Sequence, residues 1–322
     1  MDHPGEPFDA PAAVSASFRT VIPAKNSVSS LIGIPTQRPT AWWLETLRKR
    51  AERMYGEHLD LSKPVEFDSE DERLACISFF NAAYRAEESG KAGAHRLAEE
   101  VRPWDPDLAE CLVLYGNEEG WHRELLDEFL AHIGGGVTEM GWMVSSFYKT
   151  YAKAERMESI MLTNLMFETI GATTYRLSLR RVKNPLARQV LTILTRDESF
   201  HVPLNVHFIR EILKHHPERS HARLRAIYQI VFHSLVLMSL GSRKVAQEFD
   251  RIGWKELTAA YVENLGRLFV NEPDLDFAPP RPLLAAFGMS RRSLRNTGGV
   301  DAVSVAAAEA AARREDVNVT PL

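Results

Sequence analysis

Along most of this chain apolar positions recur every three or four residues, the spacing that places them on one face of an α-helix. Breakers and caps divide the pattern into segments. Pro39 and Thr40 open an amphipathic helix carrying Trp42, Trp43 and Leu47, which ends near Gly56 before a loop containing Pro64. A second helix starts at Asp68 and runs to Val101, and the turn from Pro103 to Asp107 reverses the chain into a third, stopped by Gly134 to Gly136. A fourth passes Met157, Met161 and Leu165 to about Lys183, where Asn184 and Pro185 end it and start a fifth. Pro203 should kink that fifth helix. Two more helices are expected at about Ala222 to Ile252 and Trp254 to Phe269. The pattern predicts an all-α protein: a four-helix bundle over about 68–216, with additional peripheral helices, inside a domain spanning 37–295.

Composition narrows the setting. With 322 residues and 45% hydrophobic content, the chain exceeds a bare four-helix bundle, so the surplus helices need a role. Its 39 basic and 43 acidic residues give a net charge of −4, and no basic run is dense enough for a nucleic-acid surface. The first 36 residues are rich in Pro, Ala and Ser, yet Asp2, Glu6 and Asp9 stand where a secretion signal would carry positive charge, so a flexible arm is expected. A flexible tail is expected over 296–322. The most apolar stretch, Ile227 to Leu240, is 14 residues long and includes Gln229 and His233, too short to span a bilayer. Cys76 and Cys111 fall at apolar positions and read as small buried residues, for which a reducing cytoplasm is the natural setting.

The chemistry lies in two copies of Glu-x-x-His: Glu119 with His122, and Glu198 with His201. Positions i and i+3 share a helical face, so each copy aims a carboxylate and an imidazole at one point. Both copies lie on apolar stripes; Leu112, Tyr115, Leu126 and Phe129 share the face of Glu119 and His122. Buried carboxylates without partners are costly, and a metal pair removes that cost. An isolated glutamate precedes each copy: Glu88 lies 31 residues before Glu119, and Glu168 lies 30 before Glu198. The segments Glu88 to Leu97 and Glu168 to Leu177 align without a gap, which selects Glu88. Glu87 competes, because it shares an apolar stripe with Phe80, Ala94 and Val101, and Lys91 one turn after Glu88 is odd for a metal face. Glu88, Glu119, His122, Glu168, Glu198 and His201 form the expected ligand set.

Over about residues 68 to 210 these motifs resemble the ferritin-like di-iron oxygenase superfamily, which includes multicomponent monooxygenases, desaturases, aldehyde-deformylating oxygenases and arylamine N-oxygenases. The resemblance implies a ferritin-like bundle holding two Fe ions, or a Mn/Fe pair, that uses O2 to oxidise a small organic substrate by hydroxylation, N-oxygenation or oxidative cleavage. An external electron donor would be a partner, and a homodimer remains open. Glu118 and Asp197, each preceding a motif glutamate, would accept the outer N–H of a metal-bound histidine. Several positions depart from particular members. Leu126 replaces the radical tyrosine of ribonucleotide reductase small subunits. Gly171 and Ala172 replace the threonine of hydroxylases and desaturases, and Leu194 replaces the third histidine of arylamine N-oxygenases.

Tyr84, Tyr115 and Tyr175 are placed to face the metal region, and Gly171 beside Glu168 could leave room for O2 or substrate. His207 falls on the far side of its helix from Glu198, and His233 reads as a core histidine. The alternatives to an oxygenase or oxidase are a ferroxidase or iron-storage protein, which would favour a more compact bundle, and a metal-free helical interaction protein.

Overall fold

A computed structural model describes residues 37–139, 156–215 and 221–296. The expected arm and the tail beyond 296 lie outside the described residues. Among the described residues all regular structure is helical: α1 (Thr40–Met54), α2 (Glu70–Val101), α3 (Pro106–His132), α4 (Met157–Leu179), α5 (Pro185–His215), α6 (His221–Asp250), α7 (Trp254–Asn271), a 3-10 turn (Pro273–Leu275), and the short α8 (Arg281–Ala286) and α9 (Arg291–Asn296). No described helix is long and apolar enough to cross a membrane.

Local chemistry sets the ends. Ser69 caps α2 by accepting the Glu72 N–H at 3.1 Å, Asp105 caps α3 through the Leu108 N–H at 2.9 Å, and Asn184 accepts the Ala187 N–H at 3.0 Å as α5 begins. Gly134, at φ 71°, closes α3 in the left-handed conformation that glycine adopts freely. α4 stops four residues short of Lys183, because the N–H groups of Arg181 and Val182 both turn back to the Ser178 carbonyl at 2.9 Å.

Helices α2 to α5 pack in a closed array: α2 on α3, α4 on α5, α3 on α5 and α2 on α4. Their apolar residues form two layers. One contains Ala94, Leu97, Leu112, Met161, Leu165 and Phe208, and the other Phe80, Ala83, Leu126, Phe129, Leu179 and Leu194. Each helix passes from one layer to the other, α2 and α5 in the direction opposite to α3 and α4, and each carries its motif residues at the crossing. A polar belt between two apolar slabs follows directly from where the glutamates and histidines interrupt the stripes.

Outside the array, α6 packs on α2 and α4, and α7 packs on α4 and α6. His233 is exposed on α6 and bonds the Gln229 carbonyl one turn back at 2.6 Å, so it is not the core histidine the apolar run suggested. α5 continues as one helix through Pro203. Both cysteines are buried.

α1 lies along α3 and reaches α5 through its own side chains. Trp43 stacks on His207 with ring centroids 5.7 Å apart, and Thr40 Oγ1 shares a 3.1 Å hydrogen bond with His207 Nε2. Burial, reinforced by the positive charges of Arg210 and Lys214, pushes His207 down from 6.5 to about 3, and the Glu211 carboxylate is too distant, at 3.9 Å, to offset this. Between those values the unfolded chain binds a proton that the folded chain refuses, so stability falls as pH drops from about 6.5 toward 3. The loss approaches ~1.4 kcal/mol per pH unit. Urea titrations at several pH values in that window should show a shallower fall for His207→Gln; an unchanged slope would contradict the assignment.

Candidate metal centre

The centre is built from α2 to α5 at the polar belt. Glu87 shares its face of α2 with Phe80, Ala94 and Val101, all fully buried, and is itself buried. Its Oε2 lies 3.4 Å from His122 Nδ1. Glu88 is turned outward, half-exposed, and paired with Arg85 at 2.8 Å. The expectation of Glu88 at the site is therefore corrected to Glu87. Lys91 does not enter the site either; it lies across Gly120 of α3, where an added Cβ would sit 2.8 Å from its Nζ.

The other five expected residues converge. His201 Nδ1 lies 2.9 Å from Glu119 Oε1, 3.6 Å from Glu168 Oε2 and 3.5 Å from Glu198 Oε2. These four atoms face one another, His122 Nδ1 faces Glu87 Oε2, and none of the five finds a hydrogen-bond partner of good geometry outside the cluster. Buried polar atoms are nearly always satisfied, and five that face only one another across the cluster leave room for a cation to satisfy them. Atoms of Glu119, His122, Glu198 and His201 come within 4.8 Å of one another, and this group could hold a metal ion. Gly90, one turn after Glu87, makes the convergence possible: a Cβ there would lie 2.9 Å from Glu119 Oε2.

Electrostatics report the same crowding. Burial, then the nearby Glu87 and Glu168 carboxylates, push Glu119 far above the usual range, and burial with Glu168 does the same to Glu198. Burial also works against Glu168, but hydrogen bonds from Glu198, His201 and Tyr115 outweigh it and hold that carboxyl low. Both histidines are desolvated, yet the surrounding carboxylates raise them.

Two of the three tyrosines touch the centre. Tyr115 donates to Glu168 Oε1 at 2.6 Å and accepts from Asn164 Nδ2 at 3.1 Å, while Tyr175 donates to Glu87 Oε1 at 3.3 Å. Tyr84 lies apart, half-buried, with the Arg85 and Arg123 guanidiniums 5.4 and 5.9 Å from its ring centre. A cavity of about 30 Å³ leads in between α2 and α4, lined by Ala86, Gly90, Phe167, Gly171 and Tyr175 among others.

Behind the histidines lies a second buried layer. His122 Nε2 hydrogen-bonds Asp197 Oδ2 at 3.1 Å, and His201 Nε2 faces Glu118 Oε2 at the longer distance of 3.5 Å, so each acid lies against the histidine of the opposite helix. Arg50 from α1 bonds both acids, and Arg196 bonds Asp197 at 2.9 Å through Nε and Nη2 and Glu57 through Nη1 and the same Nη2. Sequence reasoning found the acids but not Arg50, Arg196 or Asn164. Arg50 had left a signal: it sits on the buried stripe of Trp43, Leu47 and Met54.

The chain matches no protein-family model, and no curated protein and no solved structure matches it.

Proposed function

We propose that this is a ferritin-like di-metal carboxylate protein that uses O2 as an oxidase or oxygenase on a small organic substrate. The observation that carries the reading is the buried convergence of Glu119, Glu168, Glu198, His122 and His201, whose facing atoms meet only one another and Glu87. Glu87 with His122, and Glu168 with His201, would each serve one ion, while Glu119 and Glu198 come close enough to both histidines to be shared. Four carboxylates would balance two dipositive ions. Carboxylate with imidazole suits iron and manganese. A redox-active pair, when bound, would supply electrons to O2, and turnover would draw on an external electron donor.

The chain's own residues do the rest. The two apolar layers keep water from the belt. Tyr115 and Tyr175 fix one oxygen each of Glu168 and Glu87, which leaves the other oxygens directed inward. The cavity between α2 and α4 has room for a molecule the size of O2 or water beside Glu119 and Glu198. Peripheral helix α6 packs on α2 and α4, and α7 packs on α4, an addition a mineral-storing cage does not need.

Filling the cavity tests this. A Cβ at Gly171 would meet the Tyr175 ring at 3.6 Å, an ordinary contact, so a larger side chain projects into the open space. Gly171→Leu should bind as much metal as the parent yet consume O2 more slowly after anaerobic ferrous loading. Unchanged O2 kinetics would remove the access role. A soluble mineral of many irons per chain, formed from excess ferrous ion and air in a large spherical assembly, would establish an iron-storage protein instead.

A further inference from the structure

Arg50 is 1% exposed, and it enters the centre from α1, outside the four helices that supply every other residue of the inner cluster. Its Nε donates to Glu118 Oε2 at 3.1 Å, and its Nη2 donates to both Glu118 Oε1 and Asp197 Oδ1, the latter at 3.0 Å. The Phe200 ring, 4.1 Å from the guanidinium carbon, supports it from one side. Glu118, His122 and Asp197 atoms lie within 4.8 Å of one another, a grouping that would itself attract a metal ion. An arginine already sits in that position.

We propose that Arg50 is a positioning residue for the centre, an internal cation that holds the Glu118 and Asp197 carboxylates aimed at the outer nitrogens of His201 and His122. The proposal rests on the di-metal reading. Two carboxylates this close and this dry need donors between them; the Arg50 guanidinium bonds both, and Arg196 adds two bonds to Asp197 alone. With Asp197 Oδ2 at 3.1 Å from His122 Nε2 and Glu118 Oε2 at 3.5 Å from His201 Nε2, each ring is set with Nδ1 facing inward, toward Glu87 in one half and toward Glu119, Glu168 and Glu198 in the other. Arg50 also occupies the outer grouping, so an incoming metal finds its ligands only on the inner side. Burying an ion network of this kind seldom stabilises a fold relative to apolar packing, which makes a role at the centre the better account of it.

The test uses the full-length protein loaded with Co(II), whose bound histidines give hyperfine-shifted, solvent-exchangeable N–H resonances in proton NMR. The parent should show two such resonances that fade slowly in D2O. Arg50→Met should exchange the His201 resonance rapidly and the His122 resonance less so, because Arg196 still bonds Asp197, and should bind Co(II) about 10- to 100-fold more weakly, the usual cost of losing an outer partner of a metal-binding histidine. Arg50→Lys keeps the charge but serves one acid, so one resonance should stay protected and affinity should fall between the two. It decides the question if the methionine variant does not fold. Lysine or methionine variants with both resonances protected and parental affinity, whatever their melting temperature, would overturn the proposal. A parent that binds no Co(II) would instead overturn the di-metal reading, and this assignment with it.

Discussion

Glu87→Ala should lose metal binding by two orders of magnitude or more, while Glu88→Ala should bind like the parent. The reason is geometric. Successive helix residues are about 100° apart around the axis, so adjacent glutamates cannot serve the same point. Glu87 lies 3.4 Å from His122 Nδ1, whereas Glu88 is occupied with Arg85 at the surface. Removing a direct ligand should exceed the ~10- to 100-fold typical of an outer partner. Isothermal titration with Mn(II) or Co(II) reads the difference directly. If Glu88→Ala loses the metal and Glu87→Ala keeps it, the geometry of α2 has been misread.

Glu198→Gln should move stability and metal binding in opposite directions. In the metal-free chain Glu198 is buried against Glu168, and it is pushed up by burial and by that neighbour's charge. An amide of the same shape removes a buried acid from the crowded cluster, and relief of such sites is commonly worth about 1–4 kcal/mol. Thermal unfolding of the metal-free variant should therefore shift upward by several degrees, at roughly 2–4 °C per kcal/mol for a domain of this size class. The same change removes a shared anionic ligand, so metal affinity should collapse and the stabilisation that metal gives the parent should vanish. A variant less stable than the parent without metal would show that Glu198 is retained for packing.

The helices and both Glu-x-x-His copies were legible because periodicity and spacing are local properties. Pro106, Ser69, Asn184 and Gly134 sit where capping chemistry requires them, so the helix limits were largely readable too. Glu87 was visible but outvoted. The ungapped match of Glu88 to Glu168 follows letters, not faces; the face-preserving repeat is Glu87-x-x-Gly90 with Glu168-x-x-Gly171, and both glycines line the same cavity. The apolar stripe of Phe80, Ala94 and Val101 was the better guide, because burial selects a face and a one-residue slip abandons it. Arg50 carried the same kind of signal, a charge on the stripe of Trp43, Leu47 and Met54. Its partners stand 68 and 147 residues away, so no local pattern could name them. His233 failed in reverse: its apolar neighbours belong to a helix with one exposed side, where Ile230 and Leu237 are also exposed.

The central claim is that the polar belt is a two-metal site, and anaerobic titration with ferrous ion reads it most directly. The parent should saturate at two ions per chain, and Glu87→Ala should bind weakly or not at all. A parent that takes up no ion, or one whose binding is untouched by Glu87→Ala, Glu119→Ala and Glu198→Ala alike, would contradict the account.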